Sequence, residues 1–483
     1  MRFKRVFLIN PAYGKGHYGA VLCAGLGYLS EYLKKNSISH DVWDMSIDPK
    51  IETLFEKIRG SKPDLIAMSI MSPLYAHVYE ILTAIQKEFP NMKIVVGGPH
   101  VSTFRKKVFE CDAVDYAIKL EGETTLLELC KGTPLKKIKG FLYRDGNKIV
   151  ENPDRPFETN LDKIPFPKYE KFDLDKYPEK TIPIVTSRGC PFSCTFCPVK
   201  VAIGQQFRMR SGKNVVDELE YWYRLGYRRF GIIDDNFTLV KKHVYDICDE
   251  IEKRNLTDLL LVLGNGVRAD GIDREMLKRL KKVGVNELAF GVESANEDIL
   301  KKVKKGEKLG DIENAIKIAL DLEMEVGLFF ILGLPGETET HVRNSFRFAQ
   351  KYPVAYAYFY MPTPFPQTEM YEQLNADKCL ISPPSDYLNR THQWSSDPCF
   401  STPELSIEKR KQLYKEGERI SLAIKRKFLG HKFKRFGPLG ALMAYIVTRK
   451  YIHSKIMTSS FVKKILAKIY FNLGRKSSYY VKS

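Results

Sequence analysis

Long apolar runs are missing from this 483-residue sequence: no window reaches the ~18 consecutive apolar residues that a membrane-spanning helix needs. Its first ten residues carry Arg2, Lys4 and Arg5 and no apolar core of the kind a secretory leader has, so a cytoplasmic location is expected. In that reducing setting the nine cysteines are not expected to pair as disulfides. Acidic residues are missing from the C-terminal end, where residues 425–483 hold 15 Lys or Arg and no Asp or Glu. That stretch carries +15 of the net +19, and the nearly neutral remainder argues against a nucleic-acid partner. The one cysteine-rich run lacks a fourth neighbouring cysteine and lacks the second Cys or His pair that zinc sites usually have.

That run lies in residues 186–198, TSRGCPFSCTFCP, directly after a β-type segment at 181–186. Cys190, Cys194 and Cys197 form a C-x3-C-x2-C pattern. Three thiolates on so short a loop reach three different irons of a cubane cluster and leave the fourth iron open for a ligand. Zinc is the structural alternative. An apolar share of 44% with 28% charged residues is globular, and the length suffices for two or three domains.

Up to about residue 145, short apolar strands at 5–10, 40–44, 64–69, 93–97 and 113–118 alternate with helical periods at 21–35, 51–59, 75–89 and 123–131. This predicts a Rossmann-like α/β domain, 1–145, with helices on both faces of a parallel sheet. Its ligand loops would lie beyond the strands' carboxyl ends, at 11–19, 70–75, 97–103 and 119–123. Residues 14–19 also match G-x-G-x-x-G, a weak dinucleotide signal. A hairpin turns at Asp145-Gly146. The Pro- and aromatic-rich linker is set at 146–175. A second βα series has strands at 181–186, 230–234, 259–264, 287–291, 325–332 and 354–361. It predicts a partial (β/α)6 barrel over 176–400, with function at the strands' carboxyl ends. A basic helical region, 401–483, closes the chain.

The cysteine run, with the aromatic Phe196 before its third cysteine, resembles the signature of radical S-adenosylmethionine (SAM) enzymes. The resemblance implies a 4Fe-4S cluster on Cys190, Cys194 and Cys197, SAM on its open iron, and reductive cleavage to a 5′-deoxyadenosyl radical. Asn10-Pro11, the helix at 26–33, Gly97-Gly98-Pro99-His100 and Glu121-Gly122-Glu123 resemble the cobalamin-binding domain that precedes many such cores. That likeness implies a corrin near Asn10, Ser69, Gly97, Gly98, His100 and Glu121. The first loop departs from the D-x-H-x-x-G of domains that place an imidazole on cobalt, so His17 reads as a solvated loop histidine. In the barrel, the resemblance implies that Asp234, beside Asp235, holds the SAM ammonium. Arg268 pairs with the SAM carboxylate or, structurally, with Asp270. Glu293 and Ser294 hold the ribose and methionine parts, and the loop of Gly333 and Pro335 lines the adenine.

Over roughly residues 4–375 the chain resembles cobalamin-dependent radical SAM methyltransferases. That implies methylation of an unactivated carbon on a lipidic or other small molecule, with electrons from a flavodoxin or ferredoxin. Oxidative cyclisation or rearrangement on a tetrapyrrole is the alternative within the family. A tRNA methylthiotransferase would need a second cluster's cysteines upstream, where only the widely spaced Cys23, Cys111 and Cys130 occur. A non-catalytic cobalamin or cluster sensor would not need SAM-holding strand ends. Residues 461–473 set apolar side chains at i, i+3/i+4 spacing between Lys463, Lys464 and Lys468, the pattern of a helix lying on an anionic membrane.

Overall fold

The computed structural model describes residues 2–12, 20–390 and 397–448. Seven strands form the first sheet: β1 Arg5–Asn10, β2 Ser39–Asp44, β3 Leu65–Ser69, β4 Lys93–Gly97, β5 Tyr116–Ile118, β6 Phe141–Asp145 and β7 Lys148–Glu151. Their order is β2-β1-β3-β4-β5-β6-β7, with the first five parallel and the last two antiparallel. Runs such as LIAMS in β3 and KIVVG in β4 are nearly all apolar because helices cover both faces. The order reverses beside β1, which opens a crevice at the carboxyl ends. One boundary differs from expectation. The β6–β7 hairpin continues the sheet to Glu151, past residue 145, because Tyr116–Ile118 pairs with Phe141–Tyr143.

Six parallel strands follow: β8 Thr181–Ile184, β9 Arg229–Ile232, β10 Leu260–Leu263, β11 Glu287–Glu293, β12 Glu325–Ile331 and β13 Tyr356–Tyr360. They form two ladders, β10-β9-β8 and β11-β12-β13. Parallel bridges at Leu261–Val285 and Val267–Phe290 join the two into one arc. This is the expected partial barrel, and its carboxyl ends face the first sheet's crevice. Among the described residues no helix is long and apolar enough to cross a membrane.

The helix Ile407–Lys432 has 26 residues and so runs about 39 Å. Near its start, Arg410 Nη1 donates to Gly333 O at 2.6 Å, just beyond the carboxyl end of β12. At its end, Lys432 pairs with Glu325, the first residue of β12. It therefore spans the barrel from mouth to base, with Leu413 and Ile424 in the barrel core. Gly417 lets it approach closely: a Cβ there would lie 3.2 Å from Phe359. The basic cluster 425–427 thus belongs to a helix packed on the barrel. The expected helix at 461–473 and His17 lie outside the described residues.

Candidate functional site

The cysteine loop leaves the ribbon that pairs Ser187–Arg188 with Arg208–Met209. Gly189, at φ +85°, starts it; a Cβ there would lie 2.4 Å from Gln206 O, so only glycine fits. Backbone bonds pin the loop: Cys190 N–H donates to Gly204 O at 3.3 Å, Cys197 N–H to Cys194 O at 3.1 Å and Thr195 N–H to Val303 O at 3.0 Å. The three thiols lie within electrostatic reach of one another. Burial raises Cys194, against the pull of Lys305 and Arg268, and pushes Cys197 up to about 12. Bound iron would reverse this by stabilising the thiolates. Three soft donors with two neighbouring cations fit an anionic iron–sulfur cluster.

Around the loop lies a set of buried charges. Glu293, at φ +61°, follows a register shift in β11 that re-aims its carboxylate at Lys305 Nζ, 2.9 Å away. Lys305 is 6% exposed and also pairs with Glu307 at 3.1 Å. Burial works against its charge, and the two carboxylates overcome that and raise its pKa. Arg268 donates to Asp270 at 2.7 Å and to Lys305 O at 2.7 Å, and its guanidinium lies 3.5 Å over the Phe192 ring. The structural pairing with Asp270 is therefore present. Beside it a cavity of about 140 Å³ holds Phe192, Thr238 and Asn236. Asn236 is 2% exposed and neither polar atom of its amide has a partner. Such an amide costs ~1–3 kcal/mol unless a polar ligand satisfies it, which fits a site for SAM at this mouth.

Several expected residues turn inward instead. Asp234 accepts from Thr186 N–H (2.7 Å), the Thr186 hydroxyl (2.5 Å) and the Ser187 hydroxyl (2.6 Å). Burial pushes its carboxyl up to about 6 against those bonds. It clamps β8 to β9, and its neighbour Asp235 is the carboxyl that faces the open space, holding Gly189 N–H at 3.1 Å. Ser294 is fully buried and donates to Glu337 Oε1 at 2.7 Å. Glu337 Oε2 accepts from Gly333 and Leu334 N–H at 2.7 and 3.1 Å, fixing the loop that contains buried Pro335. Phe196 joins the apolar cluster that includes Leu334 of that loop, with Ile331 and Phe365.

Burial pushes the Glu337 carboxyl up to about 7. Its folded pKa lies above the unfolded one, so folding is favoured below the ordinary carboxylate range and that stability is lost as pH rises to about 7. The amount is about 3 kcal/mol, from ~1.4 kcal/mol per unit. Glu337→Gln is expected to flatten this part of the stability–pH curve between about pH 4.5 and 7, as measured by urea unfolding.

A second cavity, about 340 Å³, opens between the first sheet and the barrel. Its floor is Leu8, Ala67 and Val95, its sides include Gly25, Leu26 and Leu29, and Asp235 and Arg188 reach in from the barrel. Ser69, Gly97, Gly98 and Glu121 meet here as expected. Gly98, at φ +93°, could not carry a Cβ, which would sit 2.7 Å from Ser69 Oγ. At Gly97 a Cβ would meet nothing nearer than 3.6 Å, so the space above it is open. An apolar slot running down between sheet and helices, capped by small residues at strand ends, suits the tail of a cobalamin whose corrin lies across those ends. Two expected residues are elsewhere. Asn10 donates to Asp44 Oδ1 at 2.9 Å and ties β1 to β2. His100 stacks between Tyr75 and Phe104, both at 4.4 Å, with Nε2 2.9 Å from Tyr79 OH. Both lie outside the cavity lining.

Sequence reasoning missed the junction charges. Arg188 donates to Glu121 at 2.9 Å and Glu123 at 2.8 Å, and Arg208 to Glu121 at 2.7 Å. Arg188 stands two residues before Cys190, so the signal was position beside a metal loop. Lys305, in the lysine-rich loop after the helix Glu297–Lys302, offered no comparable signal.

The family model described as the Radical SAM superfamily matches residues 184–349, and that of the B12 binding domain matches residues 20–130. An uncharacterized methyltransferase of Pyrococcus horikoshii is 31% identical over 367 residues, covering 74% of this chain and 79% of that protein. The anaerobic magnesium-protoporphyrin IX monomethyl ester cyclase of Cereibacter sphaeroides is 27% identical and covers 77% and 63%. Among solved structures, the radical S-adenosylmethionine methyltransferase TsrM of Kitasatospora setae shares the fold. It has a TM-score of 0.70 at 21% identity and covers 77% of this chain and 76% of its own.

Proposed function

This chain belongs to the cobalamin-binding radical SAM enzymes, and on that premise we propose that it methylates a carbon atom of a small molecule. Its cofactors are a 4Fe-4S cluster, SAM and cobalamin. The cluster with SAM supplies radical hydrogen abstraction, and cobalamin supplies a methyl carrier. The residues named here divide the remaining tasks. Cys190, Cys194 and Cys197 hold iron, with Lys305 and Arg268 balancing the thiolate charge. Phe196 and the Gly333–Pro335 loop flank the adenine, and Asn236 offers its unpaired amide to a polar group. Ser69, Gly97 and Gly98 bound the corrin slot, and Glu121 with Arg188 fixes the junction. Glu293, through Lys305, holds the loop that carries the second cysteine's neighbours in place.

The observation that carries this reading is the cavity shared by both domains, whose Asp235 also holds the backbone of the cysteine loop at Gly189. A methyl carrier in that slot and a radical source at that loop are thereby adjacent. Ring closure on a tetrapyrrole is a second reading, favoured by the likeness to the cyclase of Cereibacter sphaeroides. A flavodoxin or ferredoxin is the reductant we propose. The acid-free C-terminal stretch supports attachment to an anionic bilayer.

Anaerobic reconstitution with iron, sulfide and hydroxocobalamin is expected to give about four irons and about one cobalt per chain. With methyl-deuterated SAM and a reductant, label is expected to pass to a small molecule from a cell extract. Iron without cobalt would overturn methyl transfer, and oxidised product without label would favour ring closure.

A further inference from the structure

We propose that the base of the barrel docks on an anionic phospholipid surface through the helix Pro438–Val447, an inference that rests on the bilayer reading above. The helix, PLGALMAYIV, contains no charged residue, yet it lies on the surface. Gly440 and Ala444 face inward: a Cβ on Gly440 would lie 2.2 Å from Phe433 O, and Ala444 packs with Leu429 and Phe433. That contact turns Leu439 (65% exposed), Leu442 (52%) and Tyr445 (41%) outward, with Phe436 (37%) at the preceding turn. Exposed apolar side chains gathered on one short element mark an interaction surface.

Its surroundings select the partner. No Asp or Glu follows Glu418 in the sequence, while Lys427 and Lys434 are exposed beside the helix. Arg426 donates to Thr448 Oγ1 at 2.9 Å and lies 4.7 Å over the Tyr445 ring. A cavity of about 1060 Å³, lined by Ile424, Phe428 and Phe433 with Lys427 and His431, opens beside it, and its two carboxylates, Glu323 and Glu325, are paired with Lys281 and Lys432. Apolar side chains ringed by cations match a bilayer interface, where acyl chains meet phosphate. A second copy would set like charges against each other. One ten-residue helix also presents far less than the ~800 Å² per partner of a stable protein interface. The geometry also sets an orientation. The helix packs at the Lys432 end of Ile407–Lys432, whereas Arg410 marks the mouth about 33 Å away. Docking by the base therefore turns the mouth toward water, and the substrate enters from the aqueous side.

The test is flotation of the full-length protein with phosphatidylcholine vesicles, with and without phosphatidylglycerol. Wild type is expected to float only with the anionic vesicles. The double variant Leu439→Ser/Leu442→Ser is expected to lose at least about tenfold in partitioning, with unchanged ellipticity and cluster absorbance. The full-length variant Lys463→Gln/Lys464→Gln/Lys468→Gln is expected to lose less. Wild-type-like flotation of the double Ser variant, with loss in the Lys variant, overturns the helix inference and leaves the bilayer reading in place. Wild type that floats with neither vesicle, or that binds RNA in preference, overturns both.

Discussion

Replacing Cys190, Cys194 or Cys197 by Ala is expected to abolish the cluster absorbance near about 400 nm and SAM cleavage together. Two sulfurs cannot hold a cubane that three were placed to hold, and the loop offers no substitute. Among the described residues, no group of three His, Cys, Asp or Glu is drawn close enough to hold a single metal ion, so no neighbouring side chain stands ready to replace a lost thiol. The loop itself should survive. Its backbone is pinned by Gly204, Val303 and Thr195, and Met370 N–H donates to Thr195 O at 2.9 Å, all without a thiol. A variant that stays folded by circular dichroism, yet is colourless and without cleavage of SAM, is the expected result. Cleavage by any of the three would remove the cluster from the reaction. The effect is expected to be the same at each position, although burial holds the thiols of Cys194 and Cys197 at raised pKa values before metal binding.

Gly97→Leu is expected to empty the protein of cobalamin while leaving its iron. The backbone at Gly97 accepts a side chain, since its Cβ would meet only Ile118 at 3.6 Å. That side chain would then stand in the cavity between sheet and barrel, over the floor of Ala67 and Val95. The neighbouring Gly98 provides the contrast. There φ is +93° and a Cβ would sit 2.9 Å from Ile70 O, so Gly98→Leu should destabilise the domain itself. Metal analysis of the two variants separates blocked binding from lost folding. Gly97→Leu with a full complement of cobalt would show that the cofactor lies elsewhere.

The architecture was legible because its signals were local. Alternating strands and helices up to residue 131 and the six strands of the barrel follow from short strand segments, most of them largely apolar, between amphipathic periods. The cysteine loop was legible because its ligands are neighbours in sequence. The hairpin's membership of the first sheet was not, because it depends on the pairing of Tyr116–Ile118 with a segment 25 residues later. The strand-end residues were the least legible. Asp234 and Asp235 are adjacent and chemically alike, yet side chains alternate along the chain, so one clamps Thr186 while the other faces the cavity. His100 follows two glycines at a strand end, yet the helix Pro99–Phe104 carries it between two rings. Lys305 is set against Glu293 by a register shift in β11, which no local pattern announces.

The long helix that runs along the barrel also dictates an order of synthesis. The carbonyl of Gly333 meets Arg410 only after 77 further residues have been made. Phe346 and Phe359, which that helix covers at Gly417, stay open on the nascent chain until then. The cysteine loop and all six barrel strands leave the ribosome before their wall is closed, so the interval is both an opening for early cofactor loading and a period of exposure to aggregation. A chain that stops before residue 407 would keep that exposure permanently, whatever its catalytic residues.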